Sequence, residues 1–287
     1  MKLHFALFLA LGFILASCNK DDDPVSLNLN ISGLEDLGSS AQYEGWIMVN
    51  GTPISTGTFS VDANGMLSRT SFPLDEGTLN GATAFILTIE PNPDSDPNPS
   101  DIHILAGDFS GSAANLSVGH SAALGNDFES ASGAYVLATP TDGTMDDEES
   151  GVWFVDPAGP SATLSIPTLP AGWVYEGWAV INGVPVSTGT FLTASGEDMS
   201  APYSGMSAGP PFPGEDFLTN APSGLTFPTD LRGGMVVLSV EPSPDNSPAP
   251  FTLKPLVGMI DQAAEVHTVL GMNNNALATN PTGMATR

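Results

Sequence analysis

The sequence predicts an all-β protein built as two tandem antiparallel β-sandwich domains of immunoglobulin-like type. Three observations predict it. Short runs rich in aromatic and β-branched residues recur between Gly, Pro and Asn turn signals, and no segment after the first 17 residues shows a helical period. One 17-residue stretch is written twice, YEGWIMVNGTPISTGTF at 43–59 and YEGWAVINGVPVSTGTF at 175–191, with twelve identical positions. Further matching blocks flank both copies in the same order, which marks a tandem repeat of domain size, far longer than a solenoid period.

Leu27, Leu29 and Ile31 alternate with Asn28 and Asn30, as on a half-buried strand. Tyr43 to Val49 and Trp173 to Ile181 read as aromatic strands. Asn50-Gly51 and Asn182-Gly183 then turn the chain, because Asn and Gly tolerate positive φ, so each repeated stretch reads as a β-hairpin. Phe85 to Ile89 and Met235 to Val240 are apolar runs suited to central strands, each leading into Glu-Pro and a Pro- and Asp-containing loop (ILTIEPNPDSDPNP at 86–99, VLSVEPSPDNSPAP at 237–250). The two YEGW blocks are 132 residues apart, but Glu90 and Glu241 are 151 apart, which places 19 extra residues in the second copy. They fall within 196–224, a Gly-, Pro- and Ser-rich stretch that reads as loop. Ala134 to Thr139 and Gly151 to Val155 read as a hairpin opening the second domain, the alternative being that it closes the first. The expected domains are therefore 25–133 and 134–287.

Before them, residues 1–17 (MKLHFALFLALGFILAS) join Lys2 to a short apolar run, which fits a secretory signal better than a membrane span. Leu15-Ala16-Ser17-Cys18 resembles a bacterial lipobox, which implies cleavage before Cys18 and acylation of that residue. The alternative is an ordinary thiol just past a plain signal peptide. Cys18 is the only cysteine, so the chain offers it no disulfide partner. Residues 18–24 form an acidic tether that resembles the export signal of many lipoproteins of the Bacteroidota. The expected location is the outer membrane, lipid-anchored and facing the cell surface, with the periplasmic leaflet as the alternative.

The formal net charge is −26, with six Lys/Arg against 32 Asp/Glu. A phosphate backbone needs a basic face, so nucleic-acid partners are excluded. Electrostatic docking on anionic lipid is excluded too, leaving the anchor to hold the membrane.

The hairpin with its strand Trp and Pro-x-Ser-Thr-Gly-Thr-Phe, followed by a strand ending in Glu-Pro, resembles the extracytoplasmic C-terminal domain of anti-sigma-K-type factors. The matching residues are Trp46, Pro53, Gly57, Thr58, Phe59, Glu90 and Pro91, and in the second copy Trp178, Pro185, Gly189, Thr190, Phe191, Glu241 and Pro242. The resemblance implies the fold and an envelope-sensing or binding role. It does not imply capture of a sigma factor, since the cytoplasmic helical segment of that family has no counterpart here.

The matching positions carry no reaction chemistry, and no catalytic residue or cofactor is expected. Glu44, Glu90, Glu176 and Glu241 are the candidate binding residues: paired carboxylates that hold a ligand or cation, accept backbone N–H bonds at a sheet end or face solvent, a general acid/base pair of a hydrolase being the weakest alternative. Asp94, Asp96 and Asp101 share one loop, as calcium ligands often do, but at no EF-hand spacing. Gly214-Glu215-Asp216-Phe217 in the insertion, with Asp230 nearby, is a second candidate of this kind. His103, His120 and His267 read as isolated sheet or loop histidines. Trp46, Trp153, Trp173, Trp178 and Tyr135 read as core, with a glycan platform as the alternative. The function expected is a non-catalytic envelope protein that binds or senses, the alternative being a surface glycan- or calcium-binding lipoprotein, with an envelope protein or glycan as partner. Replacing Cys18 by Ala releases the protein from the membrane fraction; unchanged fractionation contradicts the anchor.

Overall fold

The structure is a computed structural model that describes residues 25–143, 146–245 and 247–287. The expected signal peptide, Cys18 and the acidic tether at 18–24 all fall outside the described residues. The first copy runs β1 (Val25–Ser32), β2 (Ala41–Val49), β3 (Thr52–Phe59), β4 (Ser71–Leu74), a single helical turn α1 (Glu76–Asn80), β5 (Ala82–Pro91), β6 (His103–Ser110) and β7 (Ala113–Ser117). β8 (Ala134–Leu137), β9 (Gly151–Trp153), β10 (Val155–Asp156) and β11 (Ser161–Ala162) lead into the second copy. That copy runs β12 (Trp173–Ile181), β13 (Val184–Phe191), β14 (Gly214–Asp216), β15 (Met235–Pro242), β16 (Leu256–Met259), β17 (Leu270–Gly271) and β18 (Asn273–Asn274). A last turn α2 (Ala276–Thr279) and β19 (Thr282–Thr286) follow. The strand pairings are antiparallel, as the sequence predicts.

Each repeated stretch is the expected hairpin. Asn50 and Gly51 have φ of 50° and 78°, and Asn182 and Gly183 have 53° and 82°. Two residues with positive φ make the mirror-image turn whose twist matches the strands it joins. Each hairpin also carries a bulge at the same place, between Gly45 and Trp46 and between Gly177 and Trp178. A Cβ at Gly45 would lie 2.5 Å from the Thr56 hydroxyl and 2.9 Å from the Phe85 ring; at Gly177 it would lie 2.2 Å from the Thr188 hydroxyl. These contacts explain why both copies write Glu-Gly-Trp: the bulge closes only without a side chain there.

The first sheet has the order β3-β2-β5-β6-β7-β19-β1-β4. It curls, so that its two edges meet where Phe59 on β3 and Phe72 on β4 pack at 6.0 Å between ring centroids. The second copy splits into a five-stranded sheet, β13-β12-β15-β16-β18, and a four-stranded one, β14-β9-β8-β17. The 134–155 hairpin forms as expected, with Val136 opposite Trp153, and pairs with β14 and β17 of the second copy.

Two features differ from the sequence reading. The expected unit 134–287 does not keep all its strands, because β19 inserts into the first sheet between β7 and β1. There it satisfies two ladders, buries Ala285 completely, and sends the Arg287 guanidinium to the carbonyls of Leu79 at 2.8 Å and Ala82 at 2.7 Å, over the Phe109 ring. One contiguous apolar core consequently runs through both copies, from Leu27 to Ala285. The expected loop 196–224 contains β14, which pairs with β9. The five large aromatics named above are buried, none more than 4% exposed, so they act as core and not as a glycan platform. Among the described residues no helix is long and apolar enough to cross a membrane.

Ending the chain at Asn280 removes β19 and leaves β1 and β7 with open ladder edges. The expected cost is several kcal/mol, or about 10 °C in melting temperature. An unchanged melting temperature contradicts the shared sheet.

Candidate functional site

Side chains alternate across a strand, so the central pairs β2–β5 and β12–β15 each present two faces. Tyr43, Ile47, Phe85, Leu87 and Ile89 face the main core. Glu44, Trp46, Thr88 and Glu90 face the other way, with Glu44 in register with Thr88 and Trp46 with Ile86. This second face is covered as well: Trp46, Ile86, Ala106 and Ala123 form a small apolar cluster over it. The second copy has the same arrangement, with Glu176 in register with Ser239 and Trp178 with Val237.

The four candidate glutamates are therefore buried and do not face solvent. Glu44 is 9% exposed, Glu90 2%, Glu176 5% and Glu241 0%. A buried carboxylate needs partners, and the repeat supplies matching ones. The Trp46 indole N–H donates to the Thr88 hydroxyl at 2.9 Å, and the Trp178 N–H donates to the Ser239 hydroxyl at 2.8 Å. Ser55 donates to Glu44, and Ser187 to Glu176. Glu90 accepts from the Thr88 hydroxyl and, at 2.9 Å, from the Ser100 backbone N–H. Glu241 accepts from the Phe251 N–H at 2.9 Å. The expected backbone N–H acceptor role at the sheet end thus holds for Glu90 and Glu241. The Ser, Thr and Trp partners were not foreseen, although both copies write them at matching positions.

The copies differ in how completely these bonds are made. In the second, Glu176 Oε2 and Glu241 Oε2 are buried with no hydrogen-bond partner. Asp245, on the loop after β15, brings a third carboxylate: ligand oxygens of Glu176, Glu241 and Asp245 lie within 4.8 Å of one another. Burial pushes the Glu241 carboxyl up to about 8; hydrogen bonds from Ser239 and the Phe251 N–H oppose it, and the charges of Asp245 and Glu176 add to it. Burial, with Asp245 beside it, pushes Glu176 up to about 7. Burial also raises Glu44, and the Ser55 hydroxyl offsets part of that.

The three loop aspartates do not converge in this way. Asp94 accepts the Asp96 N–H at 2.9 Å, and Asp96 accepts the Asn98 N–H at 3.0 Å; both bonds shape the loop, and the Asn98 donors hold the Asp96 carboxyl below its usual range. In the insertion, Glu215 and Asp216 are fully buried but bonded. Asp216 accepts from the Thr141 N–H at 2.8 Å and the Trp153 indole N–H at 2.6 Å, and Glu215 accepts from the Ser204 hydroxyl and the Asp216 N–H. They staple the insertion to β9. Asp230 pairs with Arg232 at 2.7 Å. His103 meets the Ala122 carbonyl at 2.8 Å, His120 lies 3.6 Å from Asp108, and His267 meets Glu148 at 2.9 Å.

A cleft of about 710 Å³ lies between the copies, beside these clusters. The first copy contributes Glu35, Asp36, Glu90 and Asp101, and the second contributes Asp245 and Phe251. Burial raises the Glu35 carboxyl to about 7, partly offset by the charge of Lys254. Comparison with family models, curated proteins and solved structures finds no match. The resemblance to the anti-sigma-K-type domain therefore rests on the motif residues alone.

Glu176 and Glu241 bind protons more tightly in the folded chain than at their ordinary value of 4.5. Their contribution to stability is full below about pH 4.5 and is lost as pH rises through about 7 and 8. In metal-free buffer, Glu241→Gln should therefore gain stability relative to the wild type between pH 5 and 8.5. A difference that stays constant across that range contradicts the assignment.

Proposed function

We propose that this chain is a non-catalytic, lipid-anchored envelope protein whose folded part is a binding or sensing module, with the ligand seated in the cleft between the two copies. The observation that carries the reading is the cleft itself. Its volume of about 710 Å³ falls in the range of small-ligand sites, and both copies line it. Its ionisable groups are all acidic, Glu35, Asp36, Glu90, Asp101 and Asp245, while Leu37, Ile89, Ile102 and Phe251 supply apolar surface. Such a lining favours a ligand with a positive charge and an apolar part, such as an amine-bearing peptide. The repeated residues are spent on the hairpin, the bulge and the covered strand face, which suits a scaffold that holds a cleft between two copies. The resemblance to the extracytoplasmic domain of anti-sigma-K-type factors supports the same role. A surface glycan-binding lipoprotein is the competing reading.

Asp36 and Asp101 are exposed, so they can be neutralised without disturbing the core. Short lysine- and arginine-containing peptides and neutral oligosaccharides, titrated against the full chain, should separate the readings. Basic peptides should bind, and the double variant Asp36→Asn/Asp101→Asn should weaken them about tenfold per charge removed, at unchanged melting temperature. Saccharide binding without peptide binding contradicts the cationic ligand. Peptide binding indifferent to the double variant contradicts the cleft.

A further inference from the structure

We infer that Glu176, Glu241 and Asp245 form a binding site for a hard divalent cation of the calcium class. The inference stands apart from the cleft's own ligand, although Asp245 also lines the cleft.

The geometry begins with β12 and β15. Glu176 and Glu241 lie on the covered face of this pair, 5% and 0% exposed. One oxygen of each is held by the protein: Ser187 donates to Glu176 Oε1, and the Phe251 N–H donates to Glu241 Oε1 at 2.9 Å. These bonds fix the orientation of the two carboxylates, as hydrogen bonds from surrounding groups do for metal ligands. The other oxygen of each, Oε2, is buried and has no donor. Leaving a buried carboxylate oxygen unpaired is costly, and two in one spot require an explanation.

Asp245 sharpens the point. Its carboxylate reaches hydrogen-bonding range of Glu176, where two acceptors meet with no donor between them. Either a proton or a cation must sit there. Oxygens within 4.8 Å of one another can all touch one ion at the calcium–oxygen distance of about 2.3–2.6 Å. Three carboxylates without nitrogen or sulfur select a hard ion over zinc or copper. Lys254, partly buried nearby, attracts Glu241 only at longer range and does not bond to the orphan oxygens. Asp245 is partly exposed at the cleft, and its Oδ1 accepts the Ser247 N–H at 2.8 Å, so the loop is shaped and an entry route exists.

The first copy provides the internal control. Glu44, Glu90 and Asp94 occupy the matching sequence places, but Glu90 Oε1 takes both the Thr88 hydroxyl and the Ser100 N–H. Among the described residues neither Glu44 nor Glu90 keeps an unpartnered buried oxygen, and the three are not drawn within reach of one ion.

The test uses the full chain purified in detergent and stripped with EDTA, then titrated at pH 7.5 with CaCl₂, MgCl₂ or MnCl₂ by calorimetry and thermal shift. The expected result is one ion per chain, a raised melting temperature, and proton release seen as a buffer-dependent binding heat. Glu241→Gln and Asp245→Asn should each weaken the ion at least 100-fold, while Glu44→Gln, in the first copy and outside the cleft, should leave it unchanged. Asp245→Asn, on a partly exposed loop, keeps the test sound if Glu241→Gln fails to fold. No heat and no shift with any of the three ions overturns the site, as does binding that survives Asp245→Asn or is lost in Glu44→Gln.

Discussion

The structure depends on a constraint set by the central strand pairs: both of their faces are buried. A strand whose outer face meets water can carry glutamates freely. Here Trp46 and its apolar neighbours close over that face in the first copy, and Glu44, Glu90, Glu176 and Glu241 are trapped beneath cover. The Ser, Thr and indole partners, the loop after each Glu-Pro and the backbone N–H groups at residues 100 and 251 all follow from the need to accommodate those charges. The hairpin therefore does two jobs. Its apolar positions build the core, and its Glu, Trp and Ser positions build a polar layer on the reverse side.

The two copies meet this constraint to different degrees. In the first, Thr88 adds a hydroxyl to Glu90, and the carboxylates are bonded. In the second, Ser239 takes the place of Thr88: it accepts from the Trp178 N–H at 2.8 Å and lies in hydrogen-bonding range of Glu241, yet the bonding is incomplete. Two carboxylate oxygens are left without donors, next to a third carboxylate from the loop. Duplication supplied a scaffold, and the difference between the copies lies in how that polar layer is completed. The single core through both copies, fastened by β19 and Arg287, holds the two halves against each other and fixes the walls of the cleft.

Much of the scaffold was legible in the residues. The Asn-Gly turns, the alternation in β1, the central apolar runs and the 134–155 hairpin are local signals, and local signals survive in a single sequence. The place of β19 was not legible. Thr282–Thr286 carries one buried apolar residue, Ala285, and its partners are more than 150 residues away, so nothing local marks it as an inner strand. β14 was hidden by its composition: Gly-Glu-Asp reads as loop until Thr141 and Trp153 are seen to satisfy Asp216. The four glutamates were recognised as the open residues of the repeat, but their burial was not, since only the covering layer decides it. The calcium expectation fell on Asp94, Asp96 and Asp101, which share one loop at no EF-hand spacing. Two of those residues shape their own loop, while the converging set draws on Asp245, whose partners are distant in sequence.

The most direct measurement is a crystal structure grown with calcium chloride at pH 7.5, collected at a wavelength where calcium scatters anomalously. The account predicts one anomalous peak among Glu176, Glu241 and Asp245, about 2.3–2.6 Å from their oxygens, with no equivalent peak at Glu44 and Glu90. A map without that peak, in which Glu176 and Asp245 instead share a proton across a short hydrogen bond, would contradict it.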